Sequence, residues 1–362
     1  MQAEVVTLVV GGMPYTAWKS MSVKYTFGSQ EITFEIVASD EAPDLMSNAW
    51  RFEPGTPCQL LATGTLLVDG FINDLDIHFD EQAHELRVAG RSKSQDAVDC
   101  SVDHGTHEWK KKSLDQIAND TGNNTRFRAT EKLPPIDVVR ANPGEKVAKF
   151  IDRHARSHGV FATAQRDGTV AIGKGGKERH AGAIVEGINL KRARVKFSDR
   201  DRHEKVKVKS QRAKGHGKAN TRIKEEATDG GARKGRVLRF MPDHHMDKGR
   251  AKTRADQARD KRIGESVHFN ATLVGFRDEG GDLFTVGKLV FCETVLGHLS
   301  EDLAINTVEL SQNDHIGTIS TLELCHPSAL GGKGAGRRST SNCRCAASSS
   351  SSLPMRSSSG RN

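Results

Sequence analysis

Aromatic residues make up only 5% of this 362-residue chain, with three Trp and two Tyr, and no apolar run approaches the length of a membrane span. The second scarcity argues against a transmembrane helix, which needs about 18 or more consecutive apolar residues. Cysteine is sparse and scattered: Cys58, Cys100, Cys292, Cys325, Cys343 and Cys345 lie mostly far apart within apolar, strand-like patterns. That spacing supports neither a disulfide framework nor a paired C-x-x-C zinc site, so buried, reduced thiols are expected. The opening "MQAEVVTLVV" has no basic n-region, and its apolar run is too short for a secretory signal. A soluble product, retained in the cytoplasm where it is made, is the expectation.

What is present points to β structure. The low hydrophobic fraction of 36%, together with 35 glycines, suggests many short strands and turns, and the length allows two or three domains with cores that need no covalent staple. The net charge of +8 is regional. Residues 203–262 hold 19 Lys and Arg against 8 Asp and Glu, the segment from 328 holds 6 against none, and the remaining body is acidic.

Along the chain, "EITFEIVAS" alternates, with Ile32, Phe34 and Ile36 on one face and Thr33, Glu35 and Val37 on the other. "CQLLATGTLLVDGFINDLDIHFDEQAHELRVAG" continues as short strands, with Asp69-Gly70 and "DEQAH" read as turns. Antiparallel strands with no room for crossover helices predict a barrel or sandwich over 1–95. The pattern then changes to a small α/β unit, 96–185. Its first helix is marked by Ser113 and Gln116 as a capping box. Its second carries Asn142 as cap, Pro143 and Glu145 in the first turn, a face of Val147, Phe150, Ile151 and His154, and Gly159 as stop. A hairpin turns on Asp167-Gly168. A second β domain is expected over 186–327, carrying a mobile basic loop at 212–235 and a charged surface helix at 247–262 whose apolar stripe is Ala251, Ala255 and Ala258. The Ser/Arg-rich run 328–362 cannot bury a core and is expected to be disordered.

Several candidate sites can be weighed on residue type and spacing. "RVAGRSKSQDAVDCS", 87–101, has Gly90, Arg91, Ser92 and Lys93, but neither the G-x-x-x-x-G-K-[ST] phosphate loop nor a G-x-S-x-G nucleophile elbow. A structural role is expected, with Arg91 and Lys93 near Asp96 and Asp99. His244, His245 and His268, with Asp243 and Asp247, could ligate a metal, yet no H-x-x-x-H spacing supports it, and no metal or cofactor is expected. The basic region 203–262, with Lys205, Lys207, Lys209, Arg236 and Arg239, could contact phosphates, but "SQRAKGHGKANTRIKEEATDGGARKGR" lacks aromatics. A solvated face or a channel or partner surface is the preferred reading, and nucleic-acid binding is the alternative function. "GGDLFTVGKLVFC" reads as a strand, kink, strand corner.

These residues together resemble a known family, the baseplate hub proteins of contractile-tailed phages and prophages, most of all the Mu-type tail protein. The likeness rests on three blocks, "NAWRFEPGTPCQLLATGTLLVDGFINDLDIHFDEQAHELRVAGRSKSQDAVDCS", "GTVAIGKGG" with "IVEGINLKRARVKFSDRDRHEKVKVKSQ", and "GDLFTVGKLVFCETVLGHLSEDLAINTVELSQNDHIGTISTLEL". Trp50, Gly55, Gly70, Gly90, Arg91, Asp99, Gly281 and Leu283 match the family pattern, whereas Phe284, Val286-Gly287 and His315-Ile316 depart from it. The resemblance implies a β-rich α+β chain with two related β-barrel-like domains joined by small α/β elements. It also implies a homotrimeric ring without enzymatic activity, made in the host bacterial cytoplasm and incorporated in the virion baseplate. Its partners would be the tail tube and the central spike, with no membrane involved and nucleic acid only as DNA passing through the channel.

Overall fold

The computed structural model describes residues 4–39, 52–79, 84–122, 124–211, 222–242 and 246–332. The N-terminal part is seven strands: β1 (Val6–Val10), β2 (Met13–Tyr15), β3 (Ser20–Thr26), β4 (Thr33–Ser39), β5 (Pro57–Ala62), β6 (Thr65–Phe79) and β7 (His84–Ser92). The period-2 pattern decides their faces, and Ile32, Phe34, Ile36 and Ala38 are all buried. Asp69-Gly70 does not turn the chain as expected. It lies in the middle of β6, and the reversal between β5 and β6 is made at Thr63-Gly64 with both residues at positive φ.

A small α/β unit follows, comprising α1 (Gln95–Asp99), β8 (Glu108–Lys112), α2 (Leu114–Asn119), β9 (Phe127–Ala129), β10 (Ile136–Arg140), α3 (Val147–His158), β11 (Phe161–Ala164) and β12 (Val170–Gly173). It has its own core, including Trp109, Leu114, Ile117, Phe150, Ile151 and Val170. Gly159, at φ +68°, ends α3, and β11 pairs antiparallel with β12 across the Asp167-Gly168 turn. Asn142 does not cap α3. The helix starts at Val147, and the Asn-Pro-Gly segment forms a separate turn in which the Asn142 N–H donates to Glu145 Oε2 at 3.0 Å.

The remainder comprises β13 (Arg179–Val185), β14 (Leu190–Phe197), β15 (Lys205–Gln211), β16 (Arg222–Thr228), β17 (Val237–Phe240), α4 (Lys248–Gly264), β18 (Val267–Val274), β19 (Leu289–Thr294), β20 (Leu299–Asn313) and β21 (Gly317–Cys325). The stretch 212–235 contains the strand β16, which pairs with β15 over seven residues. Residues 212–221 of the expected loop lie outside the described residues. The Ala251, Ala255 and Ala258 stripe of α4 is buried, with Ala251 and Ala255 in one core with Val208, Ile223, Ala227 and Met246, so this helix roofs the β16-β15-β17 sheet. Of the segment after 327, residues 328–332 include the end of a short 3-10 turn, Pro327–Leu330, and the rest lies outside the described residues.

The chain is β-rich with few helices, as the sequence indicates. Its two β regions are fused edge to edge. β20 pairs antiparallel with β3, from Thr307 opposite Thr26 to Asn313 opposite Ser20, and joins them into one 13-stranded sheet. A single core runs through both, from Leu8, Val23 and Ile36 to Phe269, Leu303 and Leu322. Such a ladder and shared core fix the pose of one region on the other.

Candidate functional site

The family-pattern residues among the described ones fall in two places, Gly70, Gly90, Arg91 and Asp99 around the β6–β7 crossing and Gly281 and Leu283 in the 277–287 corner, with Gly55 in a turn of its own. Gly70 and Gly90 sit where β6 and β7 cross closely. A Cβ on Gly70 would lie 2.1 Å from the Arg91 carbonyl oxygen, and one on Gly90 would lie 2.3 Å from the Phe71 carbonyl oxygen and 2.4 Å from the Phe34 ring. The strands pair there as Gly70–Ser92 and Ile72–Gly90. Gly55 has a different role, a turn at φ +89° whose N–H donates to the Ile72 carbonyl at 2.7 Å. Trp50 lies outside the described residues.

Beyond the crossing, Arg91 bridges two acids, with Nη1 3.0 Å from Glu31 Oε2 and Nη2 2.5 Å from Asp99 Oδ2. The Arg91 hydrogen bond holds the Asp99 carboxyl below the usual range. Lys93 does not turn to Asp96. Its Nζ lies 2.7 Å from Asp69 Oδ2, one strand away. Ser92 is buried, accepts from the Ile32 N–H at 3.0 Å and lies 2.7 Å from Ser94 Oγ. The hydroxyl is thus committed to holding β7 at its exit, which disposes of the nucleophile reading, and Lys93 is neutralised rather than free for a phosphate.

The corner at 277–287 closes the joint between the modules from the other side. Arg277 Nε lies 2.6 Å from Glu4 Oε1, while its Nη2 reaches the Ala62 carbonyl and Thr65 Oγ1, both at 3.2 Å. Its Nη1 donates to the Gly281 carbonyl at 3.0 Å, and Leu283 is buried opposite it in an isolated bridge. Next to it, Asp278 Oδ2 receives His180 Nδ1 at 2.8 Å and the Ala181 N–H at 3.0 Å, and Oδ1 receives the Gly280 and Asp282 N–H groups at 2.9 Å each. The Thr285 N–H donates to His180 Nε2 at 3.1 Å, so the proton sits on Nδ1, toward the aspartate. Arg166, beside the Asp167-Gly168 turn, completes the joint. It donates to the Phe284 carbonyl at 3.0 Å and lies 5.6 Å over the Tyr25 ring. The partners outside the 277–287 corner lie 97 or more positions away in sequence, so spacing gave no sign of them.

The joint also holds a buried acid. Asp152, on α3, accepts from Gln30 Nε2 at 2.9 Å, and burial pushes its carboxyl up to about 6. A carboxyl raised on folding favours its protonated form, so stability is highest below its ordinary value of 3.8 and is lost as pH rises through about 6. Asp152→Asn is expected to flatten that slope, which spans on the order of 2 kcal/mol. Denaturant melts from pH 4 to 7 measure it, and identical slopes in the two proteins would refute the assignment.

The basic residues separate into two groups. Lys205, Lys207 and Lys209 alternate with buried Val206, Val208 and Ser210 along β15, so they face outward together with Glu226 and Arg239. Glu226 pairs with two of them, at 3.7 Å from Lys205 and 2.9 Å from Lys207, and offsets one of the positive charges. Arg236 is not on this face: it donates to the Asp199 carbonyl at 2.6 Å and also to that of Arg200, holding a loop. A continuous phosphate-binding stripe is therefore interrupted, which weakens the nucleic-acid alternative.

Among the metal candidates, Asp247 caps α4 by accepting the Arg250 N–H at 2.8 Å, and Asp243, His244 and His245 lie outside the described residues. Cys58, Cys292 and Cys325 are buried, and burial pushes the Cys58 and Cys325 thiols up to about 12. They are packing residues rather than nucleophiles. Cys100 is exposed, and Cys343 and Cys345 lie outside the described residues.

Comparison with known proteins agrees with this geometry. Residues 5–92 match the family described as Mu phage baseplate assembly protein GpP-like, N-terminal, and residues 94–174 match baseplate hub protein gp44-like, second domain. The chain is 26% identical over 338 residues to baseplate hub protein gp44 of Escherichia phage Mu, covering 88% of this chain and 87% of that one. Two solved structures share the fold. The 43 kDa tail protein of prophage MuSo2 from Shewanella oneidensis has a TM-score of 0.79 at 23% identity, covering 91% of this chain and all of that one. A tail protein from Neisseria meningitidis MC58 has a TM-score of 0.77 at 18% identity, covering 91% and 98% of the two chains. The chain belongs to the structural proteins of phage-type tails. Within that class it resembles the Mu-type baseplate hub proteins, whose domain models match residues 5–92 and 94–174, as its motif blocks indicated.

Proposed function

We propose that three copies of the protein form a ring at the centre of a contractile-tail baseplate, joining the tail tube above to the central spike below, with DNA passing through the channel. The observation that carries this reading is the β3–β20 ladder, which holds two β modules of one chain in a fixed relative pose. Three such chains present six modules in a ring, so a three-fold spike can meet a six-fold tube. The joint supports the same reading. Its charged groups are spent on neighbours within the joint, Glu4 on Arg277 and Asp278 on the His180 ring and backbone N–H groups, which suits a rigid adaptor that performs no reaction. In this reading the chain is made in the host cytoplasm before assembly, and Lys209 and Arg239 belong to its outer or channel surface. The division into modules at about 95, 185 and 327 is part of the same proposal.

Light scattering and top views by electron microscopy test it. A three-chain mass and a ring with six lobes are expected. A protein that stays a single chain at every concentration, with no affinity for the tube or spike proteins of its tail, would overturn the reading.

A further inference from the structure

A cleft of about 550 Å³ opens over the solvent face of β14, β18 and β21. Strand register writes its floor. Arg194 of β14 lies beside Asn270 of β18, which lies beside Glu323 of β21, and two residues along Lys196 lies beside His268. All five are exposed, whereas the alternating Phe269 and Leu324 are buried in the core beneath. Cations therefore line one side of the floor, an amide its centre and an acid the far side.

One wall is the end of α4, where Lys261 and Glu265 pair at 3.6 Å. Another is apolar, built from Phe27 and Phe161, whose ring centroids are 5.2 Å apart, and from Leu330 of the 3-10 turn. From Arg194 to Phe27 the cleft crosses β14, β18, β21, β20 and the end of β3. Four spacings of about 4.8 Å make about 19 Å, the length of about six extended residues.

Two features distinguish this cleft from an ordinary solvated face. First, none of Arg194, Lys196, His268, Asn270 and Glu323 has a side-chain hydrogen bond or ion pair among the described residues, in contrast to the charges of the joint. Second, the β20–β21 register shifts between Ile305 and Thr307, so Asn306 is the extra residue of a bulge and its side chain lines the cleft. The Phe27 N–H fixes that bulge by donating to the Asn306 carbonyl at 2.8 Å. Bulges of this kind re-aim side chains beside functional sites.

The chemistry fits an acidic peptide. Arg194 and Lys196 complement a carboxylate, and Asn270 and Asn306 each offer a donor and an acceptor to main-chain amides. The Phe27–Phe161–Leu330 wall takes an apolar side chain. Phosphate fits less well, because Glu265 and Glu323 line the same cleft and repel a doubly charged group. We propose that this cleft binds an extended acidic segment of a protein partner, its carboxylates on Arg194 and Lys196 and its apolar end on Phe27 and Phe161. The assignment is independent of the ring reading, since one chain supplies the whole lining.

Fluorescence anisotropy on the full-length chain tests it with two labelled, terminally blocked hexapeptides, Asp-Asp-Ser-Ala-Leu-Phe and the same residues in reverse order. At least one is expected to bind roughly tenfold or more tighter than its counterpart with Asn in place of Asp. Arg194→Glu with Lys196→Glu, shown to be folded by circular dichroism, is expected to lose that preference and to favour the counterpart with Lys in place of Asp. Acidic peptides that bind no better than their Asn counterparts, or that bind the folded double variant as well as the wild type, would overturn the assignment. So would a single-stranded oligonucleotide that displaces the peptide at lower concentration than the unlabelled peptide does, which would mark the cleft as a phosphate site.

Discussion

Replacing Gly90 with alanine is expected to lower the stability of the fold by about 3 kcal/mol or more, the upper range for overpacking a close-packed interior. Gly90 lies in β7 between Phe34 of β4 and Ile72 of β6. The added carbon would meet the Phe71 carbonyl oxygen at 2.3 Å and the Phe34 ring at 2.4 Å. The ring could swing aside, but the carbonyl belongs to the backbone of the paired strand, so relief requires the two strands to separate. Gly90→Val, which adds two more carbons, is expected to leave little folded protein. Gly55→Ala is the internal comparison. Gly55 has nothing within 4 Å of its Cβ position and only a positive φ, so the loss there is the left-handed backbone cost of about 1–2 kcal/mol. Denaturant midpoints for the two alanine variants measure the difference, and equal losses would show that the β6–β7 crossing is looser than described.

Asp278→Ala is expected to cost about 1–3 kcal/mol, the range for leaving a buried hydrogen-bond donor without its acceptor. The side chain is 2% exposed and its His180 partner 0%. Truncation would strand the Nδ1 proton of buried His180 without an acceptor, and an unmet buried donor carries the full desolvation penalty, while the N–H groups of exposed Ala181, Gly280 and Asp282 can turn to water. Asn in its place keeps one acceptor oxygen but turns an N–H₂ toward other donors, so it is expected to recover only part of the loss. The pH dependence has a definite sign. Burial alone would raise this carboxyl, but the His180 hydrogen bond and the Asp282 and Ala181 N–H groups outweigh it and hold it below its ordinary 3.8. A carboxyl lowered on folding contributes stability above its ordinary value and loses it as pH falls through the folded value, the opposite slope to Asp152. Acid unfolding should therefore begin at higher pH in Asp278→Asn than in the wild type. Superimposable acid transitions would remove Asp278 from the joint's electrostatics.

Much of the local structure could be read from the residues themselves. The alternation around Ile32, Phe34 and Ile36, the Ser113–Gln116 start of α2, the Gly159 stop and the Asp167-Gly168 hairpin all depend on neighbours within a few positions. Local signals misled where a dipeptide served packing instead of turning. Asp69-Gly70 has the composition of a hairpin turn, but its glycine is needed because the Arg91 carbonyl crosses at a distance that admits no side chain. The alanine stripe of α4 was visible, whereas the sheet it covers was hidden because β15, β16 and β17 are rich in Lys, Arg and Glu on their outer faces.

The joint was legible only as a set of family-pattern residues without partners. Arg91 could be placed near Asp99, eight positions away, but not near Glu31, and no spacing rule brings Glu4 to Arg277 or His180 to Asp278. By itself the sequence determined the secondary-structure alphabet, the β-rich class and the resemblance to baseplate hubs, because period-2 patterning and motif blocks are written in consecutive residues. The tertiary structure alone decided that β3 and β20 share a ladder, which charges are spent within the joint, and which stay free in the cleft over β14, β18 and β21. Those outcomes depend on contacts between residues as many as 308 positions apart, and their pairing is set by the packing of the whole sheet.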